Sequence, residues 1–206
     1  MPILEICQLK IKPHLPQTDP SLLLALQKAR TQLREKVVNT QSRFYRCIED
    51  PSLIYILGIW PSLNRHKEFL ASSHKAEILD EQDELFDFQW IIHTKIGDEG
   101  IEEVPIEAPV MGIARFFIKK EGVNVYQAIV DKYGRLRGEG TKPYKSVAEW
   151  RVDCKEGKYE HVVITGWENE GDHADFTKRM REDPEYKEVR DNYEGMDVKH
   201  ARDMER

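Results

Sequence analysis

Residues 53–69 read LIYILGIWPSLNRHKEF and residues 160–176 read EHVVITGWENEGDHADF, the second stretch lying 107 positions after the first. Each is an apolar run of strand length that ends in tryptophan and feeds a helix, starting near Ser62 in one case and near Gly171-Asp172 in the other. Trp60, His66 and Phe69 thus reappear as Trp167, His173 and Phe176, a W-x5-H-x2-F pattern present once in each half. The same offset carries Cys47 onto Cys154, Glu49 onto Glu156, Ile6 onto Ile113, Ile11 onto Ile118 and His93 onto His200. Solenoid repeats have periods of about 20 to 50 residues, so this register implies duplication of a whole domain. Two folds of about 100 residues are expected, facing each other like a covalently joined dimer.

Working outward, Ile3–Ile11 alternates apolar and polar residues as a half-buried strand does, and its counterpart Val110–Ile118 is more apolar. Asp19-Pro20 opens a helix whose apolar stripe is Leu22, Leu23, Leu26, Ala29, Arg30 and Leu33. Val123, Tyr126, Ile129, Val130, Tyr133 and Leu136 supply the equivalent stripe in the second half, and YGRLRGEG (133–140) reads as that helix's end. Hairpins follow, Phe44–Glu49 with Leu53–Trp60 and Val147–Cys154 with Glu160–Trp167. The last strands are Phe86–Ile96 and the short, charged Met196–Ala201. The order in each half is β-α-β-β-α-β, so the fold class is α+β with two tandem ferredoxin-like domains, 1–96 and 110–206, joined by a linker over 97–109.

Composition narrows the function classes. Hydrophobic residues make up 40% of the 206, enough for one core per half. Lys and Arg number 12 against 16 Asp and Glu in residues 1–103, and 19 against 21 in 104–206. With both halves acidic and no basic run, nucleic acid is excluded as a partner. No long apolar stretch indicates a membrane span or a signal peptide. The three cysteines lack Cys-x-x-Cys spacing and read as free thiols of a cytoplasmic protein. There is no H-E-x-x-H, no dinucleotide-type G-x-G-x-x-G and no G-x-S-x-G, so nucleotide and serine-hydrolase chemistry have no support, and a metal site would have to assemble from distant segments.

Several residues suit chemistry. Trp60 and Trp167 share strand parity with Gly58 and Thr165, and read either as aromatic plugs at a corner or as walls for a planar substrate. His66 with Phe69, and His173 with Phe176, fall on one helix face, so each histidine is a candidate general acid or base at a pocket edge or a packed corner residue. His93 and His200 hold matching places in the last strands. His161 stands where the first half has Ile54, and reads either as the mark of a specialised pocket in the second half, with Thr165 on the same face, or as a surface histidine on an edge strand. Gln8 and Arg115 are polar positions in central strands and need a partner or ligand. Arg115 either steadies an enolate or phenolate or forms a salt bridge.

On the W-x5-H-x2-F repeat, with Ser62 two residues after Trp60 and Ser72-Ser73 after Phe69, the chain resembles the antibiotic biosynthesis monooxygenase-like group of the dimeric α/β-barrel superfamily, in the tandem form found in fungal proteins. The resemblance implies a barrel closed within one chain, with a pocket between sheet and helices in each domain. It implies a cofactor-independent monooxygenase or polyketide cyclase acting on an aromatic or polyketide-like substrate, with His66, His173 and His161 as bases, Arg115 as anion stabiliser, and Trp60, Trp167, Phe69, Phe176, Thr165, His93 and His200 against the substrate. The haem-degrading branch is a poor match, because its first-strand asparagine has no counterpart between Leu4 and Leu9. The competing expectation is a non-catalytic ligand carrier or stress-related scaffold of the same fold. A further homodimer is compatible with either.

Overall fold

The computed structural model describes residues 1–184 and 186–206. The chain divides into two compact units, residues 1–101 with 202–206, and residues 102–201. The first unit holds β1 (Ile3–Ile11), α1 (Pro20–Lys36), β2 (Gln41–Cys47), β3 (Leu53–Trp60), α2 (Leu63–Leu70), α3 (Ser73–Asp83) and β4 (Phe86–Lys95). The second holds β5 (Val110–Ile118), α4 (Val123–Gly140), β6 (Ser146–Trp150), β7 (Tyr159–Trp167), α5 (Glu170–Glu182), α6 (Lys187–Asp191) and β8, which begins at Tyr193 and runs to Asp203. Strand order is β4-β1-β3-β2 in the first unit and β8-β5-β7-β6 in the second, antiparallel in every pairing described within a unit. The molecule is therefore an α+β protein, and none of its described helices is long and apolar enough to cross a membrane.

Local sequence explains where the helices start. Asp19 caps α1 by accepting from the Ser21 amide at 2.8 Å, with Pro20 at the first helical position. Ser62 caps α2 through the Arg65 amide, and Asn169 caps α5 through the Asp172 amide at 3.1 Å. Each cap lies two residues beyond the strand-ending tryptophan, so His66 and His173 both become the fourth residue of their helix. Phe69 and Phe176 follow three residues later on the same face.

The core of the first unit is packed tightly between sheet and helices. Cys7, Leu9 and Ile54 from the strands meet Leu22 and Leu26 of α1, all buried. The C-terminal residues also belong here: Arg30 binds Glu205 through two 2.7 Å contacts, and the Met204 amide donates to the Phe44 carbonyl.

Four expectations need correction. Strand β1 is buried on both faces except at Lys10, because β3 and β4 pair with both of its sides and the sheet is covered. Leu136 is 40% exposed, and the inward face of α4 carries Tyr126 and Tyr133 with Arg137 beside them. Cys154 lies outside β6, which stops at Trp150. The final strand is longer than Met196–Ala201, since its charged residues pair with β5 as regularly as apolar ones do.

Candidate active site

The capped helices hold each histidine over its tryptophan. The rings of Trp60 and His66 stack at 4.1 Å between centroids, and those of Trp167 and His173 at 4.8 Å. Each stacked histidine then meets the last strand: His66 Nδ1 lies 2.7 Å from His93 Nε2, and His173 Nδ1 lies 2.7 Å from His200 Nε2. Phe69 and Phe176 close the other side of the tryptophans, with centroids 5.4 Å away in both units. Thus the structure assembles Trp60, His66, Phe69 and His93 in the first unit, and Trp167, His173, Phe176 and His200 in the second.

What completes the two clusters differs. In the first unit the Trp60 indole N–H donates to Glu5, whose carboxylate also lies 3.5 Å from His66 Nε2. Glu5, His66 and His93 are all buried, and burial raises the Glu5 pKa to about 7, against the lowering effect of the Trp60 hydrogen bond and His93. These three donors, drawn from β1, α2 and β4, lie within 4.8 Å of one another, the spacing of a group able to hold a cation. Glu5 fits because Gly58 faces it across the β1–β3 pair. In the second unit the roles are exchanged. Gly112 faces Thr165, and the Trp167 indole donates to the Thr165 hydroxyl at 2.7 Å. A Cβ at Gly112 would lie 2.8 Å from that hydroxyl and 3.3 Å from His173 Nδ1, so a side chain there would force the Thr165 hydroxyl aside.

The second unit also opens where the first is filled. A cavity of about 540 Å3 lies between its sheet and helices, a volume typical of small-molecule sites. His161, Thr165, Trp167, His173, Phe176 and His200 all line it. His173 and His200 are partly exposed, in contrast to the sealed pair His66 and His93. The ring of Phe176 packs directly against the backbone of Gly140, where a Cβ would come within 2.4 Å of it. A separate open groove of about 580 Å3 runs between Gly140–Tyr144 and α5, but its rim of charged side chains offers no enclosure.

His161 sits on the cavity wall, with Nδ1 3.1 Å from the Tyr126 hydroxyl and its ring against Tyr126 and Trp150. Burial first, and then the nearby Arg137 charge, lower its pKa to about 4, so the imidazole is neutral at pH 7. Burial likewise pushes the Tyr126 phenol well up, which keeps it protonated.

Arg115 is placed elsewhere. It shares a sheet face with Val162 and Glu160, opposite the cavity-lining Ala114 and Phe116, and its Nε contacts Glu160 at 2.5 Å. Glu160 also binds Arg151 at 2.9 Å. Of the two alternatives for Arg115, the salt bridge is therefore present, and an anion-stabilising role in this cavity is not available to it. Gln8 found its partner in the Tyr55 hydroxyl at 2.8 Å. Sequence reasoning missed Glu5 and Arg137. Glu5 was detectable as the one acidic residue with the strand parity of Ile3, Cys7 and Leu9.

No protein-family model matches the sequence, and no curated protein matches it. Solved structures do resemble it. The chain is similar to a candidate monooxygenase from Lactobacillus acidophilus NCFM, with 15% identity, 98% of this chain and 93% of that one covered, and a TM-score of 0.61. A candidate monooxygenase from Fusobacterium nucleatum gives 9% identity, 98% and 92% coverage and a TM-score of 0.63. A chlorite dismutase variant from Candidatus Nitrospira defluvii gives 10% identity, 97% and 91% coverage and 0.59. At these identities the likeness establishes a shared α+β fold over the whole chain.

Proposed function

We propose that the chain is a tandem two-domain relative of the antibiotic biosynthesis monooxygenase-like proteins, and that its second unit is a small-molecule enzyme for an aromatic or polyketide-like substrate. The observation that carries this reading is asymmetric. The Trp-His-His-Phe arrangement is sealed beside Glu5 in the first unit, whereas in the second it borders a partly open cavity. The names of the monooxygenase neighbours agree with it at the level of the fold.

In this reading His173 takes a proton from an activated phenol or methylene, and the 2.7 Å contact with His200 shares the resulting charge. His161 is too weak a base for that step and serves as a neutral hydrogen-bonding group with Tyr126. Trp167 and Phe176 supply flat walls. A deprotonated anthrone-like substrate can itself reduce oxygen. Its methylene becomes a carbonyl holding one oxygen atom, the second oxygen leaves as water with both methylene hydrogens, and the four electrons come from the substrate. Without oxygen, the same carbanion could close a ring.

The test is product formation from anthrones, hydroquinones and poly-β-ketones, followed by mass spectrometry in air and under nitrogen, with His173→Gln and His66→Gln beside the wild type. Turnover abolished by His173→Gln and retained by His66→Gln supports the proposal. Equal turnover in His173→Gln and wild type overturns it. The occurrence of the same stacked pair in the sealed first unit favours a second reading, in which both pairs are corner packing and the cavity only binds ligand. Under that reading no panel member is turned over, and both substitutions lower stability.

A further inference from the structure

We propose that the cavity of the second unit is selective for anionic aromatic ligands, and that Arg137 is the residue that reads the charge. The inference rests on the reading of this cavity as the ligand site. Arg137 reaches the cavity from α4, and its Nε contacts the Ser146 hydroxyl at 3.4 Å. Among the described residues no carboxylate forms an ion pair with it. Three other arginines partly withdrawn from solvent are neutralised, Arg115 by Glu160, Arg151 by Asp153 and Glu160, and Arg30 by Glu205, whereas Arg46 of the first unit shares the situation of Arg137. A guanidinium with no carboxylate partner among the described residues, in a cavity lined by Tyr126 and Tyr186, is costly unless something anionic joins it.

The mouth of the cavity points the same way. Among the described residues, Lys178, Arg181 and Arg190 line it against one carboxylate, Glu182, in a protein whose formal net charge is −6. Burial raises the proton affinity of the Tyr186 phenol, and Arg181, Arg137 and Arg190 each lower it. A cationic mouth steers an anion inward, and a planar guanidinium deeper in the cavity can bind a carboxylate, sulfonate or phenolate with two hydrogen bonds. The ring of such a ligand would lie among Phe116, Tyr126 and Trp167.

Two fluorescent probes of nearly equal shape separate charge from shape: anionic 1-anilinonaphthalene-8-sulfonate and neutral N-phenyl-1-naphthylamine. Each is titrated into the wild type, Arg137→Leu, Arg137→Lys and the cavity-filling Val163→Trp, with thermal melts confirming that each variant is folded. The expected result is about tenfold tighter binding of the sulfonate than of the neutral probe by the wild type. Arg137→Leu should lose that preference while keeping the neutral probe, Arg137→Lys should keep part of it, and Val163→Trp should lose both probes. Equal affinities in the wild type, or a preference that survives in Arg137→Leu, overturns the role of Arg137 and leaves the cavity as the ligand site. Unchanged binding in Val163→Trp, or no binding of either probe to the wild type, overturns the cavity reading itself.

Discussion

Replacing Glu5 by Gln should make the protein more stable, by an amount that grows as pH rises from 4.5 to 7 and is constant above. The Glu5 pKa rises from its usual 4.5 to about 7 on folding, because burial penalises the carboxylate more than the Trp60 N–H and His93 compensate. Below pH 4.5 the group is protonated in the folded and unfolded chain alike and contributes nothing. As pH rises through about 7 the folded state comes to hold a buried charge. At about 1.4 kcal/mol per tenfold change in proton affinity, the full cost is about 3 kcal/mol. His161 acts in the opposite direction. Its pKa falls from 6.5 to about 4, so its burial costs about 3 kcal/mol below pH 4 and nothing above 6.5. The two slopes offset each other in the wild type. Urea unfolding at pH 5, 6, 7 and 8 separates them, with Trp60 and Trp90 reporting the first unit and Trp150 and Trp167 the second. Glu5→Gln keeps an acceptor for the Trp60 N–H. It should exceed the wild type by about 1 kcal/mol at pH 5, about 2 kcal/mol at pH 6 and about 3 kcal/mol at pH 8. A variant less stable than the wild type at pH 8 would show that Glu5 is a stabilising anion paired with charged His66 or His93, and would refute the reasoning.

Gly112→Ala should cost about 1 to 3 kcal/mol, because its Cβ meets the Thr165 hydroxyl at 2.8 Å, and Gly112→Ala combined with Thr165→Gly should recover part of the loss in the same urea assay. Asn169→Ala removes the acceptor of the Asp172 amide and should cost about 1 kcal/mol, read from the thermal midpoint. Arg137→Leu should raise the proton affinity of His161, since the guanidinium helps to hold it low; an imidazole titration by NMR that stays unmoved would contradict this electrostatic link.

The α+β class and the two tryptophan–histidine corners were legible because they rest on local rules, whereas the contact of each with a last-strand histidine was not. A strand-ending tryptophan, a cap two residues later and a histidine one turn into the helix reproduce the same corner wherever they occur. His161 was legible as a polar residue where the first half has Ile54, and the structure places it on a cavity wall. Arg137 was not legible, because a hydropathy stripe prefers Leu136. One residue along a helix turns the face by about 100°, and arginine's long stem can lie along an apolar wall while its head reaches a polar partner. Glu5 was missed because a lone carboxylate on an otherwise apolar strand face has no partner in the local sequence. Its burial depends on the absence of a side chain at Gly58 and on two residues from other elements. The exchange of Glu5 and Gly58 for Gly112 and Thr165 becomes visible only when strand pairing sets each residue beside its neighbour.

The most direct test of the account is to locate a bound ligand by methyl-resolved NMR with 1-anilinonaphthalene-8-sulfonate. The account predicts shifts at Val130, Val163 and Val198, which line the cavity of the second unit, and none at Leu22, Leu26 and Ile54, which fill the core of the first. Shifts centred on the first-unit residues would contradict it.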